Sequence, residues 1–101
     1  MQHDLFANPN RRERQSYPLI VDLQANVVEG QNRIVAPLTP VKAQTPNTRL
    51  APIVTHDGQH YAVFMNLMTN LSARLLRHPL GSIANYRDDL TRALDWLFFG
   101  I

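Results

Sequence analysis

The feature that most narrows the fold is His56-Asp57-Gly58-Gln59-His60, set between two β-rich runs, residues 50–55 and 61–68. Asp-Gly in such a setting is a strong short-range hairpin signal, because a type I′ turn needs positive φ at both central residues. A hairpin joining the two runs is expected. The chain before it has the same character of short strands and strong breakers. Residues 19–25 place Leu19, Val21, Leu23 and Ala25 on one side with Asp22 and Gln24 between them. That is the period-two pattern of a strand with one buried face. Ile20 interrupts the other face and implies that it too is partly covered. Glu29-Gly30-Gln31-Asn32 supplies turn chemistry before a second run, residues 33–38. Pro37 within that run lacks a ladder donor, which favours an edge, a bulge or a break there. Residues 40–48 are polar, contain Pro46 and read as a loop with a scrap of strand.

The last twenty residues change period. Ser82 is placed to cap a helix, and Tyr86, Leu90, Ala93, Leu94 and Leu97 recur on one helical face, which should pack on the sheet. Asp88, Arg92, Asp95 and Phe99 lie on another, with Asp88 and Arg92 in the favourable acid-before-base order for an i,i+4 pair. Phe98 is expected to complete the core or a subunit interface, and Trp96 fits either role. Phe99, on the polar face, reads as a contact residue. Phe98-Phe99-Gly100-Ile101 is an unusually apolar ending, since termini fray unless they are tied down or used.

The chain has 101 residues, 45% of them hydrophobic and 18% charged, which is a globular composition with room for one domain, residues 1–101. A core this small often needs a disulfide, a metal or a second subunit, and with no cysteine the disulfide is excluded. Burying the apolar terminus in a twofold contact predicts a homodimer. No apolar run spans a bilayer, and Met1-Gln2-His3-Asp4-Leu5-Phe6 is unlike a signal peptide, so a cytoplasmic location without membrane contact is expected. The net charge of +2 is too small to make nucleic acid the main ligand.

The common catalytic signatures are missing: no cysteine nucleophile, no Gly-x-Ser-x-Gly, no phosphate-binding glycine loop and no His-Glu-x-x-His. No enzyme activity and no cofactor are expected. His56 and His60 flank the hairpin turn beside Asp57, and a metal would need them to approach across it. Two solvated turn histidines is the better reading, and no metal is expected. Arg11-Arg12-Glu13-Arg14 either attracts an acidic partner segment through bidentate carboxylate pairing or is the solvated tip of a loop between the first two strands. Charge runs are more often surface.

The ending Phe98-Phe99-Gly100-Ile101 at this chain length resembles the CcdB family, toxins of toxin–antitoxin pairs with an aromatic-Gly-Ile terminus. Val21-Asp22-Leu23-Gln24, Arg33-Ile34-Val35-Ala36-Pro37-Leu38, and Pro52-Ile53-Val54 followed by Met68-Thr69 match in order, so the resemblance spans nearly the whole chain. It implies a mainly β fold with a C-terminal α-helix: a small SH3-like antiparallel barrel with a subsidiary small sheet. It also implies a homodimer that binds the DNA gyrase A subunit, traps the cleaved DNA complex and meets DNA only indirectly. A CcdA-like antitoxin would neutralise it through a disordered C-terminal part, and the pair would regulate its own transcription. Carried over by position, Phe99, Gly100 and Ile101 would contact gyrase, with Gln2, His3, Ala25, Val27 and Asp95 on the same face. Arg11, Arg12 and Arg14 would serve the antitoxin. The family usually has tryptophan at Phe99, asparagine at Asp95 and serine at Ala25, departures that bear on potency.

Two alternatives stand beside this. One is an endoribonuclease toxin of the MazF type, for which Arg33, Arg49 and the histidines are available but that family's Arg-Pro-Val-Val strand and early Gly-Asp are not. The other is a CcdB-fold chain that binds antitoxin without being toxic.

Overall fold

The computed structural model describes residues 1–28, 30–42 and 49–100. It is mainly antiparallel β. The strands are β1 (Asp4–Ala7), β2 (Leu19–Asp22), β3 (Asn32–Pro40), β4 (Ile53–His56), β5 (Gln59–Val63), β6 (Thr69–Ser72) and β7 (Gly81–Ser82), and one helix, α1 (Arg87–Phe99), follows. The sheet order is β4-β5-β3-β2-β1-β7, with β6 branching from β3.

The hairpin forms as the turn chemistry requires. β4 and β5 pair from Ile53 opposite Ala62 to His56 opposite Gln59, and Asp57 and Gly58 take φ of 52° and 78°. The second arm ends at Val63, short of the expected 68, where a 3-10 turn at Met65–Leu67 redirects the chain into β6.

β2 is shorter than residues 19–25 and buried along its whole length. Leu19 and Val21 join the main core with Leu5, Leu38, Val54, Met65 and Leu90. Ile20 points the other way, into a second cluster with Phe6 and Val35 that Leu71 and Leu76 cover. The outer face is thus covered, as Ile20 implies.

β3 runs unbroken through Pro37, contrary to the break expected there. Its first half pairs with β6, Asn32 opposite Ser72 through Val35 opposite Thr69, and its last part pairs with β5 from Leu38 opposite Val63. Pro37 lies at the handover. Its carbonyl accepts from Phe64 N–H at 2.9 Å, so its nitrogen faces the same side, between the two partners, where a missing donor costs no ladder bond.

The two ends of the sheet nearly meet, giving an almost closed barrel. His56 at the end of β4 packs on Gly81 of β7, where a Cβ would come within 2.7 Å of the imidazole Cε1. Thr55 N–H, on the open side of β4, donates to the Tyr86 hydroxyl at 3.1 Å. These contacts blunt both sheet edges.

The helix packs on the main core of the barrel. Ser82 Oγ accepts from Ala84 N–H at 3.2 Å and so opens the 3-10 turn Ala84–Tyr86 that leads into α1, rather than capping α1 itself. Leu90 and Ala93 are buried against the core, with Tyr86 and Leu94 beside them. Arg92 bridges Asp89 at 3.4 Å, one residue nearer than the Asp88 expected from spacing. No helix among the described residues is long and apolar enough to cross a membrane. Glu29 of the expected turn, and residues 43–48 of the expected loop, lie outside the described residues.

Candidate functional site: the end of the C-terminal helix and the β2–β3 arm

Helix α1 stops where glycine lets it stop. Gly100 takes the left-handed conformation, φ 70°, and its N–H bonds the Trp96 carbonyl at 3.0 Å. A side chain there would strain the backbone, so the glycine ends the helix cleanly and leaves the last turn projecting. The contacts of α1 with the main core end at Leu94. Phe98 and Phe99 are consequently 64% and 73% exposed. Phe98 therefore does not complete the core of this chain, one of the two roles expected of it: within the last turn it is Leu97 that is half-buried. Phe99 is exposed, in agreement with its place on the polar face, and Asp95 is exposed one turn earlier. Ile101 lies outside the described residues. Trp96 is not core: it walls a surface groove of about 540 Å³ with Ile53 and Ala93, and the Arg49 guanidinium sits 4.4 Å above its ring.

The other residues expected on this face come from the N-terminus and from residues 23–28, the arm between β2 and β3. Gln2 ties the two together. Its N–H donates to Asn26 Oδ1 at 2.8 Å and its side-chain amide to the Leu23 carbonyl at 3.1 Å. His3 has φ 71°, donates its N–H to the Asp22 carbonyl at 2.6 Å and accepts from Ile83 N–H at 2.9 Å. Burial holds the His3 imidazole below its ordinary pKa, and the Arg87 charge adds to this while Asp22 and Asp4 oppose it. Ala25 is half-buried, whereas Val27 is 90% exposed. Leu23 from the arm and Leu94 from α1 pack on the same core cluster. No hydrogen bond or ion pair among the described residues joins Gln2 and the arm to Asp95 or Phe99.

The arm is held by a pair that the sequence reading did not single out for this role. Asp22, 3% exposed at its side chain, receives the Arg33 guanidinium through Nε at 3.0 and 3.2 Å and through Nη2 at 3.0 Å. The signal lay in the register. Asp22 sits opposite Val35, so Arg33 is its diagonal cross-strand neighbour, a relation visible only once β2 and β3 are aligned.

A family model for CcdB protein matches residues 2–100, nearly the whole chain. The chain belongs to the CcdB family. Membership supports a toxin of a toxin–antitoxin pair. Comparison with curated proteins gave no match.

Arg11, Arg12 and Arg14 fall where the loop reading placed them, between β1 and β2. Asn10 Oδ1 caps the turn by accepting from the N–H groups of Arg12 and Glu13, at 3.0 and 3.4 Å. Arg14 is partly used within the fold, its Nε donating to the Asn8 carbonyl at 2.8 Å, while Arg11 and Arg12 extend into solvent.

The histidines of the hairpin have local roles. His60 Nδ1 is 2.8 Å from Thr55 Oγ1, and His56 is packed on Gly81 rather than fully solvated. Among the described residues no group of three His, Cys, Asp or Glu side chains is placed to hold a metal.

Proposed function

We propose that this chain is a gyrase-directed toxin that acts by binding, without catalysing a reaction itself, and that a CcdA-like antitoxin neutralises it. The observation that carries the reading is the exposed Phe99 beside Gly100, at the end of a helix whose core contacts stop a turn earlier. An aromatic presented on a glycine-terminated helix has the properties of an interface anchor: large area, few rotatable bonds and little cost to expose before binding. On this reading Phe99, Gly100 and Ile101 contact the gyrase A subunit, and Asp95, Gln2, His3, Ala25 and Val27 complete the surface.

A single-domain, cytoplasmic homodimer fits the role, because a twofold assembly presents two copies of the helix end to a twofold target. Exposed Arg11 and Arg12, with Arg14, are suited to an acidic antitoxin segment that orders on binding, and the complex would act on its own promoter through the antitoxin.

The endoribonuclease alternative loses one of its two named arginines. Arg33 is committed to Asp22 and to two backbone carbonyls, so it is not free to stabilise a transition state at phosphate. The test is direct. Purified protein should support gyrase-dependent DNA cleavage, leave RNA intact and elute with a dimer mass by light scattering after gel filtration. RNA cleavage at a preferred sequence without an effect on gyrase would move the assignment to the endoribonuclease class. Antitoxin binding without gyrase inhibition would identify a CcdB-fold chain that has lost toxicity.

A further inference from the structure

We infer that the Asp22–Arg33 ion pair is a positioning device that pre-forms the 23–28 arm for partner binding, an inference that rests on the gyrase-binding reading. The arm has no regular secondary structure, yet it carries Val27 and Val28 at 90% and 47% exposure. Irregular backbone presenting apolar side chains to water tends to collapse or fluctuate unless its carbonyls are held.

Arg33 holds them at both ends. Beyond its bonds to Asp22, Nη2 donates to the Gln24 carbonyl at 2.7 Å and Nη1 to the Val28 carbonyl at 3.3 Å. One planar fork thus spans the loop, anchored by a carboxylate in the barrel wall. Asp22 also accepts from Gln24 N–H at 3.1 Å, and Gln24 Oε1 accepts from Ile34 N–H at 3.0 Å. On the far side Gln2 holds the Leu23 carbonyl and Asn26. Between these fixed points residues 25–28 form a turn closed by Val28 N–H donating to the Ala25 carbonyl at 3.1 Å, and Val27 is its most exposed residue.

A buried ion pair is a poor source of stability compared with an apolar pair of the same volume, so its benefit lies in geometry. Lysine cannot replace arginine here. A single ammonium can satisfy Asp22, but it lacks the fork that reaches both carbonyls.

The test compares the wild-type chain with Arg33→Lys and Asp22→Asn by thermal melting, amide hydrogen exchange and association kinetics with the gyrase A subunit. Arg33→Lys should keep a cooperative melt and strand protection while residues 24–28 exchange faster. It should associate roughly tenfold more slowly with an unchanged dissociation rate, because only the fraction of molecules with a formed arm is competent. A purely structural role would alter the folded fraction but not the association rate constant of the folded molecules. Unchanged arm exchange, or a loosened arm with an unchanged association rate, overturns the inference. If Arg33→Lys does not fold, Asp22→Asn, which keeps the side-chain shape and removes the charge that anchors the Arg33 fork, is read against the same two outcomes. Wild-type protein that fails to associate with gyrase refutes the proposed function, and this inference with it. That failure shows in the wild-type measurement alone, whereas failure of the positioning role shows in the variants.

Discussion

Replacing Phe99 with alanine should separate folding from function, and the expected sizes follow from burial. Phe99 is 73% exposed, so roughly a quarter of a side chain worth about 1.5–3 kcal/mol when fully buried is at stake in folding. Phe99→Ala should therefore cost the monomer fold about 0.4–0.8 kcal/mol. In a domain of this size that is a fall of roughly 2–6 °C in melting temperature. Leu90, nine residues earlier and 1% exposed, is the internal control: Leu90→Ala opens a cavity in the main core and should cost about 2–5 kcal/mol. Binding should invert this order. An interface aromatic contributes about 2 kcal/mol or more when truncated, so Phe99→Ala should weaken affinity for the gyrase A subunit about 30-fold or more. Whatever Leu90→Ala protein remains folded should bind with near wild-type affinity. Differential scanning calorimetry and isothermal titration calorimetry on the same preparations give both numbers. Undiminished gyrase affinity in Phe99→Ala would show that the helix end is not the contact. A melting temperature lowered as far as in Leu90→Ala would show that Phe99 is buried in the protein as it exists in solution.

Three further outcomes are expected. Phe99→Trp offers a target cation a stronger aromatic face and should tighten gyrase binding by about 0.5–1 kcal/mol per copy, up to roughly 30-fold if a dimer uses both; equal or weaker binding in titration would argue against a cation at this contact. The folded state disfavours protonation of His3, so its contribution to stability is complete above the ordinary value of 6.5 and is lost as pH falls below it; His3→Asn, which tolerates the φ of 71°, should flatten the fall in urea midpoint between pH 7.5 and 5, and parallel profiles would refute this. Gly81→Ala drives a Cβ into the His56 ring and should destabilise by about 1 kcal/mol or more, a loss that His56→Ala should largely relieve in a double-mutant cycle; additive effects would mean that the two edges of the barrel do not touch.

What could be read from the sequence was what short-range chemistry controls. The turn at Asp57-Gly58 needs only the conformational freedom of those two residues, and it forms as expected. Of the stripe Tyr86, Leu90, Ala93, Leu94 and Leu97, set by the helical period, the first four lie on the core and Leu97 is half-buried beyond it. The resemblance at the C-terminus pointed to the family that the match over residues 2–100 shows. Tertiary structure decided whatever depends on which strand lies beside which. Pro37 interrupts nothing because its nitrogen faces the gap between β6 and β5, and no local pattern records where one partner ends and the next begins. Phe98 is exposed on this chain, which removes the core role and leaves the expected subunit-interface role, because periodicity assigns a face but not what covers it. Arg92 meets Asp89 rather than Asp88, a choice between neighbouring rotamers that spacing leaves open. Arg33 looked like a free cation among others until the register of β2 and β3 set it against Asp22. A residue eleven positions away in sequence became its nearest charge, because a cross-strand contact is a property of the pairing and not of either strand alone.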